Sequence, residues 1–539
     1  MESKKIQRSA GGMFRLMRQH PYLLTILICA VLLPFGYADR ANLKKESYWY
    51  LGIVLCIAIV AAVFFFRIGK DLIEKLLLCG IAAAGIGASM LVLHLVDQKT
   101  IAIALIAAVA GALFIRRFFT LDERSIIALL ILLGIAIRFV YVLYTGFRDR
   151  QHDVGFFNWS WGHANYIEYW YNNGLKLPDF DVTTIWQYYH PPFHHWLMAL
   201  LQVLTALDVE YPIACEALQI LPMLYSSLTM IVCYRIFCLV HLKGTPLIAA
   251  MALICFHPTF ILFGGEFNND ILLMLLMMAS IMWGIRWYRA PEFTNIIPLA
   301  LCIGLGMMTK LSGWMVAPAV AFLFIVVLIK HIKKPLKYLG QYLLFGVICV
   351  PLGIWWQVRN LLLFNVPLTY VYDAFTAYGA PYNEYNPTLG LFKTAMFDEG
   401  TNSITAEHFP QITVTAPILY WISVVLFLLC FAFLVVSLIK KSKEINGAER
   451  MYFALLTVVL LCSYYWFCIK YPFTCTFNIR YCMPLIPLCT MGMGLFLQNC
   501  GEGKAATWCR RIMYTLCIAF CAMSYLVYTQ LGLVTAPVA

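Results

Sequence analysis

Two carboxylates and two cations stand apart from the rest of the charge in this sequence. Asp153, Asp270, Lys310 and Arg480 each fall at one end of an apolar run, whereas most other Lys and Arg residues gather in short clusters between runs. A charge at membrane depth is costly, so an isolated one facing a cavity is a candidate for function. The chemistry that suits this set is a displacement on a phosphorylated substrate. A carboxylate takes the proton of an attacking hydroxyl, and cations stabilise the departing phosphate. Guanidinium meets phosphate through its planar fork, and ammonium meets it as a compact point charge. A phosphate carried on a long lipid lies at the required depth.

The elements that must position these groups are helices in a bilayer. The chain has 539 residues, 62% of them hydrophobic and 12% charged, with a mean hydropathy of +0.78. That composition places it among multi-pass helical membrane proteins. The net charge of +12 resides in clusters between apolar runs, a pattern that orients spans and does not suit nucleic-acid binding. The 19 cysteines are scattered, with no CxxC pair, and read as small apolar side chains.

Apolar runs at 21–37, 48–66, 76–96, 101–115 and 125–144 each approach the roughly 20 residues of a span. Basic clusters place the N-terminus inside, although Arg40, Lys44 and Lys45 then fall outside against the charge rule. The fifth run delivers a loop, 145–217, to the outer face. Between Phe147 and Tyr189 it is dense in Phe, Tyr and Trp, rings that favour the membrane boundary, so it is expected to lie on the bilayer. Its HPP segment reads as a re-entrant or surface helix, with Pro191 and Pro192 in the first turn. Ten further runs follow, at 218–237, 246–263, 271–288, 296–309, 313–329, 339–356, 417–439, 451–468, 481–497 and 512–530, with a second long outer loop at 357–415. The expectation is an all-α polytopic protein of about fifteen spans. Residues 1–124 form a four-span N-terminal extension, and 125–539 form the module that carries the isolated charges.

The segments QHDVGFFN, QYYHPPFHHW, FNNDILL, GMMTKLSG and NIRYCMPLIP, in that order, resemble the polytopic GT-C glycosyltransferases. The branch is that of the dolichyl-phosphate-mannose protein mannosyltransferases, with the bacterial aminoarabinose transferase as a relative. The resemblance runs from about Ile137 to Pro487. It implies the GT-C fold and the inverting transfer of one sugar from a polyprenyl-phosphate donor to an acceptor hydroxyl. The acceptor (protein, glycan or lipid) stays open, because no soluble C-terminal domain of the family is matched. By the same resemblance Asp153 is the catalytic carboxylate, and Asp270 a second acid near the donor sugar or acceptor, with Asn269 beside it. Lys310 and Arg480 lie near the lipid phosphate, and His190 marks a helix that closes the site. The resemblance implies no cofactor beyond the lipid-linked co-substrate. It places the protein in the plasma membrane, with its site on the extracytoplasmic side.

Each residue also has a plainer reading. Asp153 could be a solvated loop acid; Asn268, Asn269 and Asp270 suit a helix N-cap; Lys310 could snorkel to headgroups; Arg480 could anchor at the interface. His190, His194 and His195 have metal-like spacing without the carboxylate of an HExxH helix, and Asp179 and Asp181 make a bare DxD, so no metal is assigned. Two other functions compete with transfer. A transporter or flippase of lipid-linked sugars calls for interrupted midplane helices and related halves. A non-catalytic subunit of an envelope glycan assembly complex needs no carboxylate at all.

Overall fold

The structure is a computed structural model. It describes residues 122–144, 146–147, 153–155, 157, 161–205, 216–372, 388, 391, 415–440, 443–472 and 476–534, with isolated positions between 60 and 83. The first four expected spans lie almost wholly outside the described residues. Among the described residues there are helices and no strands.

In chain order the helices are α1 (Glu123–Tyr144), α2 (His163–Asn172), α3 (Phe193–Thr205), α4 (Ile220–Leu239), α5 (Gly244–Cys255), α6 (Pro258–Leu262) and α7 (Asp270–Arg289). Then come α8 (Phe293–Thr309), α9 (Ala317–Lys330), α10 (Pro335–Phe364), α11 (Thr415–Ile439), α12 (Gly447–Lys470), α13 (Leu485–Asn499) and α14 (Lys504–Val534). Seven of the described helical stretches are long and apolar enough to cross a membrane, or eight if the bent pair at Gly244–Gly265 counts as one span. The chain is a multi-span membrane protein. The HPP helix α3 is too short to cross, as expected. The runs at 296–309 and 481–497 form helices of 17 and 15 residues, about 25 and 22 Å long at 1.5 Å per residue. Both fall short of the ~30 Å hydrocarbon thickness, so α8 ends early and leaves Lys310 at its C-cap.

Two runs depart from the sequence expectation. The stretch 246–263 is not one straight helix: α5 and the short helix after it meet at 48°. Pro258 supplies no amide to continue the ladder, and three buried side chains satisfy the carbonyls at the break. Arg138 Nη1 donates to Cys255 O at 2.7 Å, Ser524 Oγ to Phe256 O, and Ser226 Oγ to Phe260 O. Arg138 Nε donates in turn to Ser226 Oγ at 2.7 Å. Arg138, fully buried, thereby serves the backbone and not the solvent. The run expected at 339–356 extends as α10 to Phe364 and stops where Asn365 turns left-handed at φ 52°. The outer loop therefore begins about two turns later than the hydropathy suggests, because Gln357, Arg359 and Asn360 interrupt the apolar pattern without interrupting the helix.

The aromatic loop after α1 folds as a module of its own. Tyr166, Trp170 and Tyr188 are buried in a small core with Phe147, Phe157 and Phe267, so these rings pack against one another. Arg359 ties this module to α10, donating to Pro178 O and Phe180 O at 3.0 and 2.9 Å. Trp356 Nε1 adds a bond to Tyr189 O at 2.9 Å.

Candidate active site

Asp153 owes its position to two glycines. Gly155 and Gly162 have φ of 61° and 102°, and a Cβ on either would meet the other's backbone at 2.8 Å or less. Only residues without a side chain allow that approach. It brings the start of α2 against the segment holding Asp153, where His163 N donates to Asp153 O at 3.1 Å and Ala164 N to Val154 O at 2.8 Å. Asp153 itself has φ 58° and Gln187 φ 70°. Left-handed backbone at non-glycine residues is a strain that gathers at functional sites.

Asp270 opens α7, whose approach loop is fixed by buried polar contacts. Gln219 Nε2 donates to Gly265 O at 2.8 Å, His194 Nε2 bonds Phe267 O at 2.9 Å, and Asn269 Nδ2 donates to Thr309 O at 2.8 Å. Of the trio suited to capping, Asn269 is the N-cap residue but makes no side-chain capping bond, while Asn268 Oδ1, one residue earlier, accepts from Asp270 N at 3.1 Å. The Asp270 carboxylate is thus left to face Lys310, whose Nζ lies 2.5 Å from Oδ1. Asn269 is fully buried and does not line the cavity described next; it joins the start of α7 to the residue before Lys310. At Lys310 the backbone is extended, φ −158°, between α8 and a 3-10 turn.

A cavity of about 320 Å³ receives Asp153, His190, Asp270, Lys310 and Arg480 together. Arg480 Nη2 lies 3.3 Å from Asp153 Oδ2 and donates to Tyr481 Oη at 2.7 Å. Lys310 Nζ stands 5.2 Å from the Tyr481 ring centroid, so this ring lies beside both cations. Two carboxylate–cation pairs share one chamber, and neither acid is a merely solvated loop charge. Lys470, at the end of α12, also lines it, beside the exposed Trp466. The aspartates of the DxD point to local partners: Asp179 accepts from Tyr169 Oη at 2.7 Å, and Asp181 from Thr183 N and Oγ1 at 2.8 Å each.

Sequence reasoning missed His163, which also lines the cavity. Its Nδ1 lies 2.8 Å from His195 Nε2, and its ring stacks on His190 and His195 at centroid distances of 5.6 and 5.1 Å. Burial holds His163, His190 and His195 well below the usual histidine range, and His194 at about 4. All four are neutral at pH 7. Above about pH 6.5 they are neutral in both folded and unfolded chains. Below it the unfolded chain binds protons that the folded one refuses, so stability falls by up to about 1.4 kcal/mol per pH unit for each histidine. Thermal unfolding in detergent is therefore expected to be flat from pH 8 to 7 and to drop steeply below pH 6, with His194→Gln shallower than the parent.

Residues 189–355 match the family described as dolichyl-phosphate-mannose-protein mannosyltransferase. The match covers under a third of the chain and likens that segment, on a helical, multi-span chain, to a membrane mannosyltransferase. The matched segment bears out the resemblance read from the sequence and contains His190, Asp270 and Lys310; Asp153 and Arg480 lie on either side of it. Among solved structures, the crystal structure of ArnT from Cupriavidus metallidurans in the apo state is 14% identical, with 75% of each chain covered and a TM-score of 0.42. No curated protein matches the chain.

Proposed function

We propose that the protein moves a single sugar from a polyprenyl-phosphate donor to an acceptor hydroxyl on the extracytoplasmic side of the plasma membrane. The observation that carries this reading is the pairing of Asp153 with Arg480 and Asp270 with Lys310 in one cavity. The donor's phosphate exchanges into the cationic side, beside Lys310, Arg480 and Lys470, without need of a resident metal. Its hydrocarbon tail leaves past Trp466 and Trp314, which are exposed and line the same cavity. Arg480 released onto phosphate frees the Asp153 carboxylate. The acceptor oxygen then attacks the anomeric carbon, the bond from that carbon to the phosphate oxygen breaks, and the hydroxyl proton passes to Asp153. The products are the glycosylated acceptor and a polyprenyl phosphate. One displacement from the face opposite the leaving group inverts the anomeric configuration, as in single-step glycosidases.

Membranes containing the full chain, given a radiolabelled polyprenyl-phosphate mannose, are expected to transfer label to a protein, glycan or lipid fraction. Membranes lacking the chain serve as the baseline. Label that stays on the carrier in both membranes speaks instead for a transporter or a non-catalytic subunit. The stretch 1–124 acts, in this reading, as an extension outside the catalytic module of 125–539.

A further inference from the structure

The two turns that α10 adds beyond its expected end carry a polar wall of the cavity. Asn360 and Gln357 both line it and are almost fully buried, and their spacing of three residues sets them on one helix face. Each amide has one end already fixed. Asn360 Oδ1 accepts from Arg359 Nη1 at 2.8 Å, which leaves the NH2 group as a donor. The Gln357 amide end that faces Gly353 O and Ile354 O, at 3.1 and 3.2 Å, is assigned as its nitrogen because only a donor satisfies two carbonyls, and that assignment leaves the oxygen as an acceptor. Trp186 lines the same cavity and is backed by Trp161 at 5.4 Å and 18°, so its ring is a rigid, flat surface. One donor, one acceptor and an aromatic face suit a hydroxylated ring, because a hydroxyl both gives and accepts a hydrogen bond.

The charges lining the cavity point the same way. Its two acids, Asp153 and Asp270, are each held by a cation, while Lys470 adds a third positive group. A phosphate offsets that excess. With the phosphodiester bound, the cations Lys310, Lys470 and Arg480 are matched by Asp153, Asp270 and the phosphate, so an ammonium group on the sugar adds a positive charge that the described lining residues do not balance. We infer that Asn360 and Gln357, with Trp186, form the subsite for the donor's sugar and select an uncharged, hydroxylated ring over a cationic amino sugar. This rests on the proposed use of a polyprenyl-phosphate donor and adds the residues that read its sugar.

The test uses the full chain in lipid nanodiscs and three probes: undecaprenyl phosphate, undecaprenyl-phosphate mannose and undecaprenyl-phosphate 4-amino-4-deoxyarabinose. The parent protein is expected to bind the mannose conjugate at least tenfold more tightly than the bare carrier, and the amino-sugar conjugate no more tightly than the carrier. Asn360→Ala and Gln357→Ala should each erase most of the mannose increment while leaving the Kd for the carrier within twofold. Asn360→Asp, nearly isosteric, should favour the amino-sugar conjugate over mannose. Thermal unfolding close to that of the parent shows which variants are folded, and the carrier Kd serves as a second check. Equal losses for carrier and conjugate, or tighter binding of the amino sugar by the parent, overturn the assignment of this wall. A parent protein that binds none of the three probes overturns the donor reading itself, and this inference with it.

Discussion

Replacing Asp153 with Asn is expected to reduce transfer by 10²- to 10⁴-fold, the range that general base catalysis contributes, with little change in donor affinity. The substitution keeps the size of the side chain and its ability to accept from Arg480, now 3.3 Å away, but removes the lone proton acceptor of useful basicity at that position. The comparison that gives the result meaning is Arg480→Lys. Asp153→Asn should act on kcat, because the acceptor's proton moves only as the new bond forms. Arg480→Lys should act on both KM for the lipid donor and kcat, since a cation that holds the phosphate serves ground state and transition state alike. Asp153→Asn membranes that transfer label at the parental rate would remove this residue from the chemistry. His163 and His190, neutral and on the same cavity wall, would then be the groups to replace next.

The isolated charges were legible because the bilayer penalises them. In a chain so poor in charge, Asp153, Asp270, Lys310 and Arg480 stood out at the ends of apolar runs, and the structure brings all four to one cavity. Which acid meets which cation was not legible. Asp153 and Arg480 are 327 positions apart, and hydropathy carries no information on the packing that joins them. The turn at His257–Pro258 was hidden because the residues on both sides are apolar, and the groups that satisfy its carbonyls, Arg138, Ser226 and Ser524, come from three other helices. The end of α10 was misplaced for the opposite reason. Polar residues that face a cavity look like the start of a loop, so the outer loop is expected from residue 357, where α10 instead continues to Phe364. His163 carried no signal beyond its residue type, since its partner His195 lies on another helix.

A cycle on the second ion pair separates its structural share from its chemical one. Asp270 is 2% and Lys310 15% exposed at the side chain, with 2.5 Å between the charged atoms. Lys310→Met leaves a carboxylate desolvated beside a methyl group, and breaking a buried pair in this way costs about 3–5 kcal/mol. Asp270→Leu should cost less, because the longer Lys310 side chain can turn towards the more open part of the cavity and keep some water. The double variant Lys310→Met/Asp270→Leu is expected to regain most of the lost stability, since an apolar pair of similar volume replaces a buried ionic one with little net change. Transfer should not return with it. If the pair exists to hold phosphate and sugar, a stable and correctly folded double variant still lacks the cation, and its KM for the lipid donor stays raised. Recovery of both stability and transfer would mean that Asp270 and Lys310 do no more than join α7 to the end of α8, with phosphate binding left to Arg480 and Lys470. Strictly additive losses of stability would instead show that the two side chains act independently despite their short separation. Chemical unfolding in detergent and initial rates at varied donor concentration, measured on the same four preparations, distinguish these outcomes.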